Sequence, residues 1–396
     1  MKIGIIKEGK EPIDRRVPLI PEQCSELIEI YPQLSLVVQS SPIRCYSDQD
    51  YQNKGIEIVE DLSDCDLIMG VKEVPIKLLI PNKKYLFFSH TIKQQPYNKN
   101  LLKEILNKNI DLIDYEVLKD LNGDRIIGFG RYAGIVGAYN AFLTYGLKEK
   151  KYKLKPAYLC QDQKEMEEEL KKIKIDNLKI ILTGDGRVSK GVEEILHKIN
   201  IKKVSKEDLI SKNFSSSVYS CLTVVDYYET LDSKKTSRKN IYNNPHLIKS
   251  CFSKYLNKID ILITGHYYDD NAPFLFTKED LINNNKIKVV ADISCDIDGP
   301  IPCTIRPSKI TSPIYGYNPI TFKEDEFLND GVIAVMAVDN LPCELPRDAS
   351  AYFGKELIEK VIPNFLNDKK KFIERATITK NGKLTDQFKY LTDYIS

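Results

Sequence analysis

The chain has 396 residues, enough for two domains that each bury a substantial hydrophobic core. Hydrophobic residues make up 42% and charged residues 29% of it, which is ordinary for a soluble globular protein. The net charge of +2 comes from 58 basic and 56 acidic residues, and this balance argues against a nucleic-acid partner.

Nine cysteines are scattered along the chain without a C-x-x-C pair, and the N-terminus carries no signal-type apolar segment. The longest apolar runs, such as residues 332–338, are far shorter than a membrane span. We therefore expect a reduced, cytoplasmic protein that does not enter a membrane.

In the first 130 residues, short apolar segments alternate with helical stretches, a pattern typical of an α/β domain. The predicted strands are residues 2–6, 34–39, 56–58, 67–71, 85–88 and 110–114, and the predicted helices are 21–30, 100–107 and 131–147. The last helix carries Gly134, Gly137 and Ala138, whose small size lets it pack closely against a neighbour.

Residues 148–177 are highly charged, and their Glu and Lys residues predict a solvated helix and linker. The α/β pattern then resumes, interrupted by a polar insert at 227–257 that we expect to be rich in loops. The strands of this part are predicted at 180–182, 201–204, 218–225, 259–264, 287–293 and 331–338, followed by a helix at 348–362 and a polar tail at 372–396.

The segment 178–198 combines an apolar strand, the turn Gly184-Asp185-Gly186 and an amphipathic helix. Such a unit can bind a pyrophosphate, because glycines allow close backbone approach and the helix N-terminus offers free N–H groups. The signal is incomplete, since the spacing G-x-G-x-x-G needs a glycine at Ser189 and the third glycine is Gly191.

This unit lies in the middle of the chain, so the sequence predicts two Rossmann-like α/β domains with a cleft between them. The predicted first domain is discontinuous, with residues 1–135 completed by about 340–396. The predicted nucleotide-binding domain is 136–339 and includes the charged linker at 148–177.

Two predicted strands of the first domain lead into ionisable residues, Lys72 and His90. If the strands are parallel neighbours, both side chains emerge at the same edge of the sheet and can exchange protons near neutral pH. The alternative is a surface lysine and a satisfied core histidine.

Several cations, among them Arg16, Lys93, Arg125 and Arg131, gather near the same strand ends, where arginines suit carboxylate recognition. Taken singly, each also fits an ordinary surface position. No metal site is predicted, because the acidic cluster at 292–298 fails the calcium-loop pattern.

The chain resembles the lysine-forming saccharopine dehydrogenases and the lysine-ketoglutarate reductase domain of bifunctional lysine-degrading enzymes, within the alanine dehydrogenase and transhydrogenase group. The resemblance covers nearly the whole chain, excepting roughly 148–177 and 227–257. The segments that carry it are EPIDRRVPLIPEQ (11–23), GVKEVP (70–75), FFSHTIKQQPYN (87–98), LIDYEVL (112–118), GFGRYAGIVG (128–137), GDGRVSKG (184–191), VVADISCDIDGPI (289–301) and VDNLPCELPRDASAYFG (338–354).

The resemblance implies a reversible oxidation of saccharopine by NAD(P) and water to lysine and 2-oxoglutarate through an imine, with small-molecule substrates as partners. It implies Lys72 and His90 as the acid–base pair. The implied substrate-binding residues are Arg16, Lys93, Gln95, Arg125 and Arg131, of which Arg131 resembles the reductase domains in particular. The implied cofactor-binding residues are Gly184, Gly186, Arg187, Val188, Ser205, Thr223, Val338, Asp339, Asn340 and Leu341.

The sequence departs from NAD-using members after the second strand of the nucleotide domain. Ser205 stands where an acid would hold the ribose hydroxyls, and Lys206 could face a 2′-phosphate. This favours NADP or dual use, but the nearby Glu207 and Asp208 leave NAD and NADP both open, and the oligomeric state stays open too.

Two other functions remain compatible with the sequence. One is an alanine-type amino-acid dehydrogenase, which uses the same lysine and histidine on a keto acid and ammonium. The other is a non-catalytic nucleotide sensor that retains the fold.

Overall fold

The computed structural model describes residues 1–268, 271–282, 284 and 286–396. The strands are β1 Lys2–Ile5, β2 Ser35–Gln39, β3 Glu57–Val59, β4 Leu67–Met69, β5 Lys84–Phe87, β6 Asp111–Asp114, β7 Lys179–Thr183, β8 Lys202–Lys203, β9 Val218–Leu222, β10 Tyr228–Thr230, β11 Ile248–Ser250, β12 Ile261–Thr264, β13 Val289–Asp292, β14 Ile314–Asn318, β15 Lys323–Asp325, β16 Ile333–Met336, β17 Thr377–Lys380 and β18 Lys383–Leu384.

The α-helices are interspersed with these strands and with short 3₁₀ turns. They are α1 Pro21–Ile30, α2 Asp48–Gln52, α3 Lys99–Asn107, α4 Gly130–Lys148, α5 Gln163–Glu169, α6 Arg187–Lys198, α7 Lys206–Ser211, α8 Val224–Tyr227, α9 Arg238–Asn243, α10 Ser253–Leu256, α11 Lys278–Ile282, α12 Pro346–Lys360, α13 Ile362–Leu366, α14 Phe372–Arg375 and α15 Thr392–Ile395.

The chain forms two compact units, each built on its own sheet. The first unit comprises Met1–Phe129 and Pro346–Ser396, and the second comprises Gly130–Leu345. The boundary expected at residue 135 lies inside α4, the whole of which belongs to the second unit.

The sheet of the first unit has the strand order β18-β17-β6-β5-β4-β1-β2-β3. Strands β1 to β6 are parallel, whereas β17 and β18 add antiparallel strands at one edge. Because alternate strand residues point to opposite faces, Leu67 and Met69 of β4 join one hydrophobic core and Ile68 joins the other. The central strands β1, β4, β5 and β6 are largely buried, whereas the edge strand β3 has no buried residue.

The prediction of a polar C-terminal tail is wrong. Residues Thr377–Lys380 form β17, which pairs with β6, and Ile378 is fully buried. The segment contains few apolar residues, so its place in the sheet depends on a pairing partner more than 260 residues earlier in the chain.

The sheet of the second unit has the strand order β15-β14-β16-β13-β12-β7-β9-β8. The six strands from β16 to β8 in this order are parallel to one another. Beyond β16, strand β14 pairs antiparallel with β16, and β15 pairs antiparallel with β14. The edge strand β8 is two residues long, and β9 separates it from β7, the strand that precedes the glycine turn.

Helices α4 and α6 of the second unit pack backbone against backbone. A Cβ atom at Gly134 would lie 1.9 Å from the carbonyl oxygen of Val188, and one at Gly191 would lie 2.0 Å from that of Arg131. The prediction that the small residues of α4 allow close helix packing is therefore confirmed, and Gly191 serves packing as well.

The insert at 227–257 is more ordered than its polar composition suggested. It contains the hairpin of β10 and β11 and the helices α9 and α10. Ile241, Phe252 and Leu256 bury their side chains in the core of the second unit. In the described residues, no helix is both long and apolar enough to cross a membrane.

Candidate functional site

Three neighbouring strands of the first unit each carry an ionisable residue three positions after their last residue. Strands β1, β4 and β5 end at Ile5, Met69 and Phe87, and the residues are Glu8, Lys72 and His90. The pairing is parallel, with Ile5 opposite Met69 and Met69 opposite Leu86. The prediction that the strands leading to Lys72 and His90 are parallel neighbours is confirmed, so both residues follow the carboxyl edge of one sheet.

Glu73 connects this edge through its carboxylate. Its Oε1 lies 2.6 Å from His90 Nδ1, and its Oε2 accepts a hydrogen bond of 2.7 Å from Lys10 Nζ. Burial opposes ionisation of Glu73, but the His90 and Lys10 interactions outweigh it and lower its pKa to about 2. A Glu73 that is ionised near neutral pH orients the imidazole through Nδ1.

His90 is held in place from several sides. Its backbone is left-handed, with φ of 52°, at the start of the 3₁₀ turn Thr91–Lys93. Its ring stacks on Phe88 with 6.3 Å between the ring centres. Since Glu73 occupies Nδ1, proton exchange at this histidine uses Nε2.

Lys72 lies in a partly buried position among charges of both signs. Burial is the largest cause of its lowered pKa, and the charges of Arg16 and Lys10 lower it further. Glu73 and Asp14 act in the opposite direction. A lysine with a lowered pKa supplies a neutral amine more readily near neutral pH, which suits a proton acceptor.

Arg16 is buried, with 2% of its surface exposed, in an ion pair with Asp14. Its Nε and Nη2 donate to the two carboxylate oxygens at 3.0 and 2.6 Å. Its guanidinium lies 4.1 Å from the centre of the Phe129 ring. Asp14 and Phe129 therefore fix the orientation of a cation that the sequence assigned to substrate binding.

Glu116 brings together two other predicted substrate ligands. Its Oε1 accepts a hydrogen bond of 2.9 Å from Arg125 Nη2 and lies 3.7 Å from Lys93 Nζ. Both cations keep about half of their side-chain surface exposed. Gln95 lies nearby in sequence, and its Oε1 accepts a hydrogen bond from the Tyr97 hydroxyl. Glu116 was not among the predicted site residues, although the segment LIDYEVL contains it.

Arg131, the fifth predicted substrate ligand, belongs to α4 in the second unit. Its Nε and Nη2 donate to both carboxylate oxygens of Glu194 on α6, at 2.7 and 2.6 Å. The pair lies in the unit that carries the glycine turn, whereas the other four predicted substrate ligands lie in the first unit.

The glycine turn of the second unit has the backbone geometry that a phosphate site needs. Gly184 has φ of +91°, and a Cβ there would lie 2.6 Å from the carbonyl oxygen of Gly265. Gly186 precedes α6, which begins at Arg187, and a Cβ at Gly186 would meet nothing within 4 Å. An open glycine at the N-terminus of a 12-residue helix fits a dinucleotide pyrophosphate.

The residues predicted to face the ribose, Ser205 and Lys206, each have another partner in the protein. Ser205 caps α7 by accepting a hydrogen bond from Asp208 N, so its hydroxyl serves the helix. Lys206 Nζ forms an ion pair with Asp226, whose other oxygen accepts from the backbone and hydroxyl of Thr223. Both groups lie after β8 and β9, so the carboxyl edge carries a cation and an anion together.

The segment Val338-Asp339-Asn340-Leu341 follows β16 at the same carboxyl edge. Val338 and Leu341 are buried, Asp339 is exposed, and Asn340 precedes the 3₁₀ turn Leu341–Glu344. Val338 also pairs with Ser308 in an isolated parallel bridge.

A buried polar cluster lies at the ends of β7, β12 and β13, and its only residue considered from the sequence is Asp292, in the acidic stretch 292–298. Asp292 accepts hydrogen bonds from the hydroxyls of Thr264, Ser294 and Thr304 at 2.5, 2.7 and 2.6 Å. His266 shares a 2.6 Å hydrogen bond with Thr183, and burial lowers its pKa to about 4. These residues are far apart in sequence, and only the recurrence of a polar residue at each strand end signals them.

Two family models match the chain. They are described as the N-terminal domain of alanine dehydrogenase/PNT, at residues 4–136, and its C-terminal domain, at residues 210–387. The chain belongs to the alanine dehydrogenase/PNT family. Together the two matches contain most of the strand ends and the segment 338–341.

Curated relatives of this family member come from plants, animals and fungi. "Alpha-aminoadipic semialdehyde synthase" of Arabidopsis thaliana is 30% identical over 98% of this chain, and its Mus musculus counterpart is 28% identical over 98%. The chain spans 41% and 47% of the lengths of these two relatives. "Saccharopine dehydrogenase [NAD(+), L-lysine-forming]" of Neurospora crassa is 23% identical, with 92% of this chain and 91% of that protein covered.

Solved structures share the fold. An L-alanine dehydrogenase superposes with a TM-score of 0.67 at 15% identity, with all of both chains covered. A transhydrogenase from Sinorhizobium meliloti gives a TM-score of 0.57 at 14% identity, over 97% of this chain and all of that one. At these identities the likeness concerns the fold alone.

Proposed function

We propose that the chain is a nicotinamide-dependent oxidoreductase that interconverts saccharopine with lysine and 2-oxoglutarate. The observation that carries the proposal is the pairing of Lys72 with a His90 that is bonded to ionised Glu73, after neighbouring strands of the first unit. The names of the plant, animal and fungal relatives support this substrate class.

In the proposed reaction, Lys72 and His90 divide the proton transfers between them. Lys72 takes a proton from the secondary amine of saccharopine, because its lowered pKa makes a neutral amine available. A hydride must leave the carbon of the same bond for an imine to form, and a bound nicotinamide would take it up. His90 exchanges a proton at Nε2 during addition of water to this imine, while Glu73 holds the imidazole at Nδ1. Release of lysine and 2-oxoglutarate completes the oxidative direction.

The substrate carries three carboxylates, and the first unit offers cations for them. We assign Arg16 and Arg125 to carboxylate binding, with Lys93 and Gln95 beside Arg125. Glu116 neutralises part of the charge of Arg125 and Lys93 and orders both side chains, of which the planar guanidinium of Arg125 suits bidentate carboxylate recognition.

The open Gly186 and the N-terminus of α6 fit the pyrophosphate of a nicotinamide dinucleotide, which when bound accepts or donates the hydride. Arg187 and Val188 lie in the first turn of this helix, and Thr223 follows β9. The segment 338–341 is assigned to the nicotinamide end. The relatives support the cofactor class, and the choice between NAD and NADP is left to experiment.

Steady-state kinetics test the proposal. We expect oxidation of NADH or NADPH when lysine and 2-oxoglutarate are both present, and loss of the signal when either is omitted. Parallel assays with pyruvate and ammonium test an alanine-type reaction, and activity with that pair alone would overturn the proposal. Cofactor binding without turnover on any amine and keto acid would instead indicate a nucleotide sensor.

A further inference from the structure

Glu8 holds the backbone of the proposed catalytic lysine with both of its carboxylate oxygens. Its Oε1 accepts a hydrogen bond of 2.6 Å from Val71 N, and its Oε2 accepts one of 3.0 Å from Lys72 N. The residue is 7% exposed and lies after β1, the parallel neighbour of β4. The Glu8 carboxylate, which follows β1, therefore accepts hydrogen bonds from two consecutive backbone amides that follow β4.

The chain around this contact leaves room for the carboxylate. A Cβ at Gly70 would lie 3.0 Å from Ile6 Cγ2 and 3.3 Å from Glu8 Oε1, closer than side chains tolerate without adjustment. On the other side, Phe88 N donates to the carbonyl of Val71 at 3.0 Å. The residues 70–72 are thus held between the segment that carries Glu8 and the segment that leads to His90.

The charge of Glu8 is costly where it lies. Burial and the charge of Asp14 raise its pKa to about 8, whereas the Val71 and Lys72 amides and the Arg16 charge act to lower it. The groups that act on the neighbouring Lys72 are Arg16 and Lys10, which lower its pKa, and Glu73 and Asp14, which raise it. A neutral side chain of similar shape would avoid the free-energy cost of desolvating a carboxylate. A buried glutamate at this position therefore indicates a functional role.

We propose that Glu8 is a positioning residue for Lys72, which fixes the backbone of the lysine through hydrogen bonds to its amide and to that of Val71 and thereby holds the side chain in its partly buried position. The inference rests on the proposed function, because it assigns Glu8 to the same acid–base site. With Glu8 included, each of the strands β1, β4 and β5 is followed by one residue of the proposed site.

The experiment compares Glu8→Gln with a matched control, Asp368→Asn. Asp368 lies in the same unit and also accepts from two backbone amides, those of Phe372 and Glu374, but outside the proposed site. Each variant receives a thermal melt, kinetics with lysine and 2-oxoglutarate, and a fluorescence titration with NADH and NADPH. Lys72 is also labelled with trace acetic anhydride between pH 8 and 10, and peptide mass spectrometry reads its reactivity against the other lysines.

We expect Glu8→Gln to lower kcat by about 10-fold or more at nearly unchanged cofactor affinity, whereas Asp368→Asn leaves kcat near the wild-type value. Because burial lowers the pKa of Lys72, a lysine released from its partly buried position should be more strongly protonated, so its labelling should fall about threefold, the equivalent of half a pKa unit. Glu8→Asp keeps the charge with a shorter reach, and its labelling should lie between wild type and Glu8→Gln. This variant also serves if Glu8→Gln fails to fold.

Lys72 labelling decides the inference. If labelling in the folded Glu8 variants equals that of the wild type and Asp368→Asn, Glu8 only supports the fold and the inference is overturned. If no amine and keto acid support turnover of the wild type, the proposed function fails, but the labelling comparison still separates a positioned lysine from an indifferent one.

Discussion

The glycine turn of the second unit and the strand ends of the first unit are built in different ways. The turn is a backbone site: Gly184, Gly186 and the start of α6 are consecutive in sequence and act through amides. The strand ends are the proposed side-chain site, and Glu8, Lys72 and His90 follow the same edge of the sheet because β1, β4 and β5 are neighbours. The proposed cofactor turn is therefore encoded in one short stretch of sequence, whereas the proposed acid–base site depends on the order of strands in the sheet.

Loss of the acid–base groups should have the largest effect. We expect Lys72→Met and His90→Gln each to lower kcat by about 10²-fold or more, the usual contribution of general acid–base catalysis. Cofactor affinity, measured by fluorescence titration, should stay within about twofold because the turn belongs to the other unit. Near-normal turnover in both variants would remove these residues from the mechanism.

Acid should destabilise the second unit through His266. Its pKa falls from 6.5 to about 4 on folding, so the unfolded chain binds a proton at a higher pH than the folded protein does. Stability that is present above pH 6.5 should therefore be lost as the pH falls toward 4, by up to about 3 kcal/mol from this residue.

Guanidinium unfolding at pH values from 4 to 7 measures this loss. His266→Gln should lose less stability than wild type across the window, because its amide does not titrate. The exposed His246 provides the control, and His246→Gln should follow the wild type. Equal pH dependence in all three proteins would exclude His266 as the source.

The two glycines of the turn should separate folding from binding. We expect Gly184→Ala to lower the free energy of unfolding by about 1–3 kcal/mol, since alanine is strained at φ of +91° and would approach the Gly265 carbonyl. Gly186→Val should leave the melting temperature nearly unchanged, because a Cβ there meets no protein atom within 4 Å. It should instead weaken cofactor binding about tenfold, or about 1.4 kcal/mol, by occupying the space of a phosphate. The reverse pattern would contradict the proposed orientation of the turn.

The smallest effect concerns cofactor choice at the edge of the second unit. Lys206→Ala removes the cation that neutralises Asp226, and the freed carboxylate should repel a 2′-phosphate and accept from a ribose hydroxyl. We expect the ratio of NADPH to NADH affinity to fall several-fold, up to about tenfold. Lys203→Ala, which removes a comparable pair with Glu193 at 2.7 Å, should leave the ratio unchanged. An unaltered ratio in Lys206→Ala would place the ribose elsewhere.

Much of the architecture follows from periodicity. Apolar runs located most strands of both sheets, and the predicted strands 67–71 and 85–88 led to Lys72 and His90, although the strands themselves end earlier, at Met69 and Phe87. The C-terminal strand β17 escaped because its polar sequence becomes a strand only when β6 offers a pairing edge. The insert escaped for a related reason: its apolar residues are sparse, and their burial depends on the core that surrounds them.

In the candidate site, too, the contacts of the residues depend on the fold. Glu73 and Glu116 sat inside recognised segments but had no partners until the fold brought His90 and Arg125 to them. Ser205 and Lys206 were predicted to face the ribose because they follow the second strand of the nucleotide domain, where NAD-using members of the resembled family carry an acid. The structure gives Ser205 a capping role and pairs Lys206 with Asp226, because β9 lies between their strand and β7.

By itself, the sequence determined the two α/β halves, the glycine turn and the ionisable residues at the strand ends, because hydrophobic periodicity and glycine positions are local properties of a chain. Only the tertiary structure decided that Glu8 accepts a hydrogen bond from the amide of Lys72 and that Glu73 bonds both His90 and Lys10. The same is true of the ion pair between Asp226 and Lys206. These contacts join residues 17 to 64 positions apart in the chain. Strand order and register set them, and no local pattern encodes either.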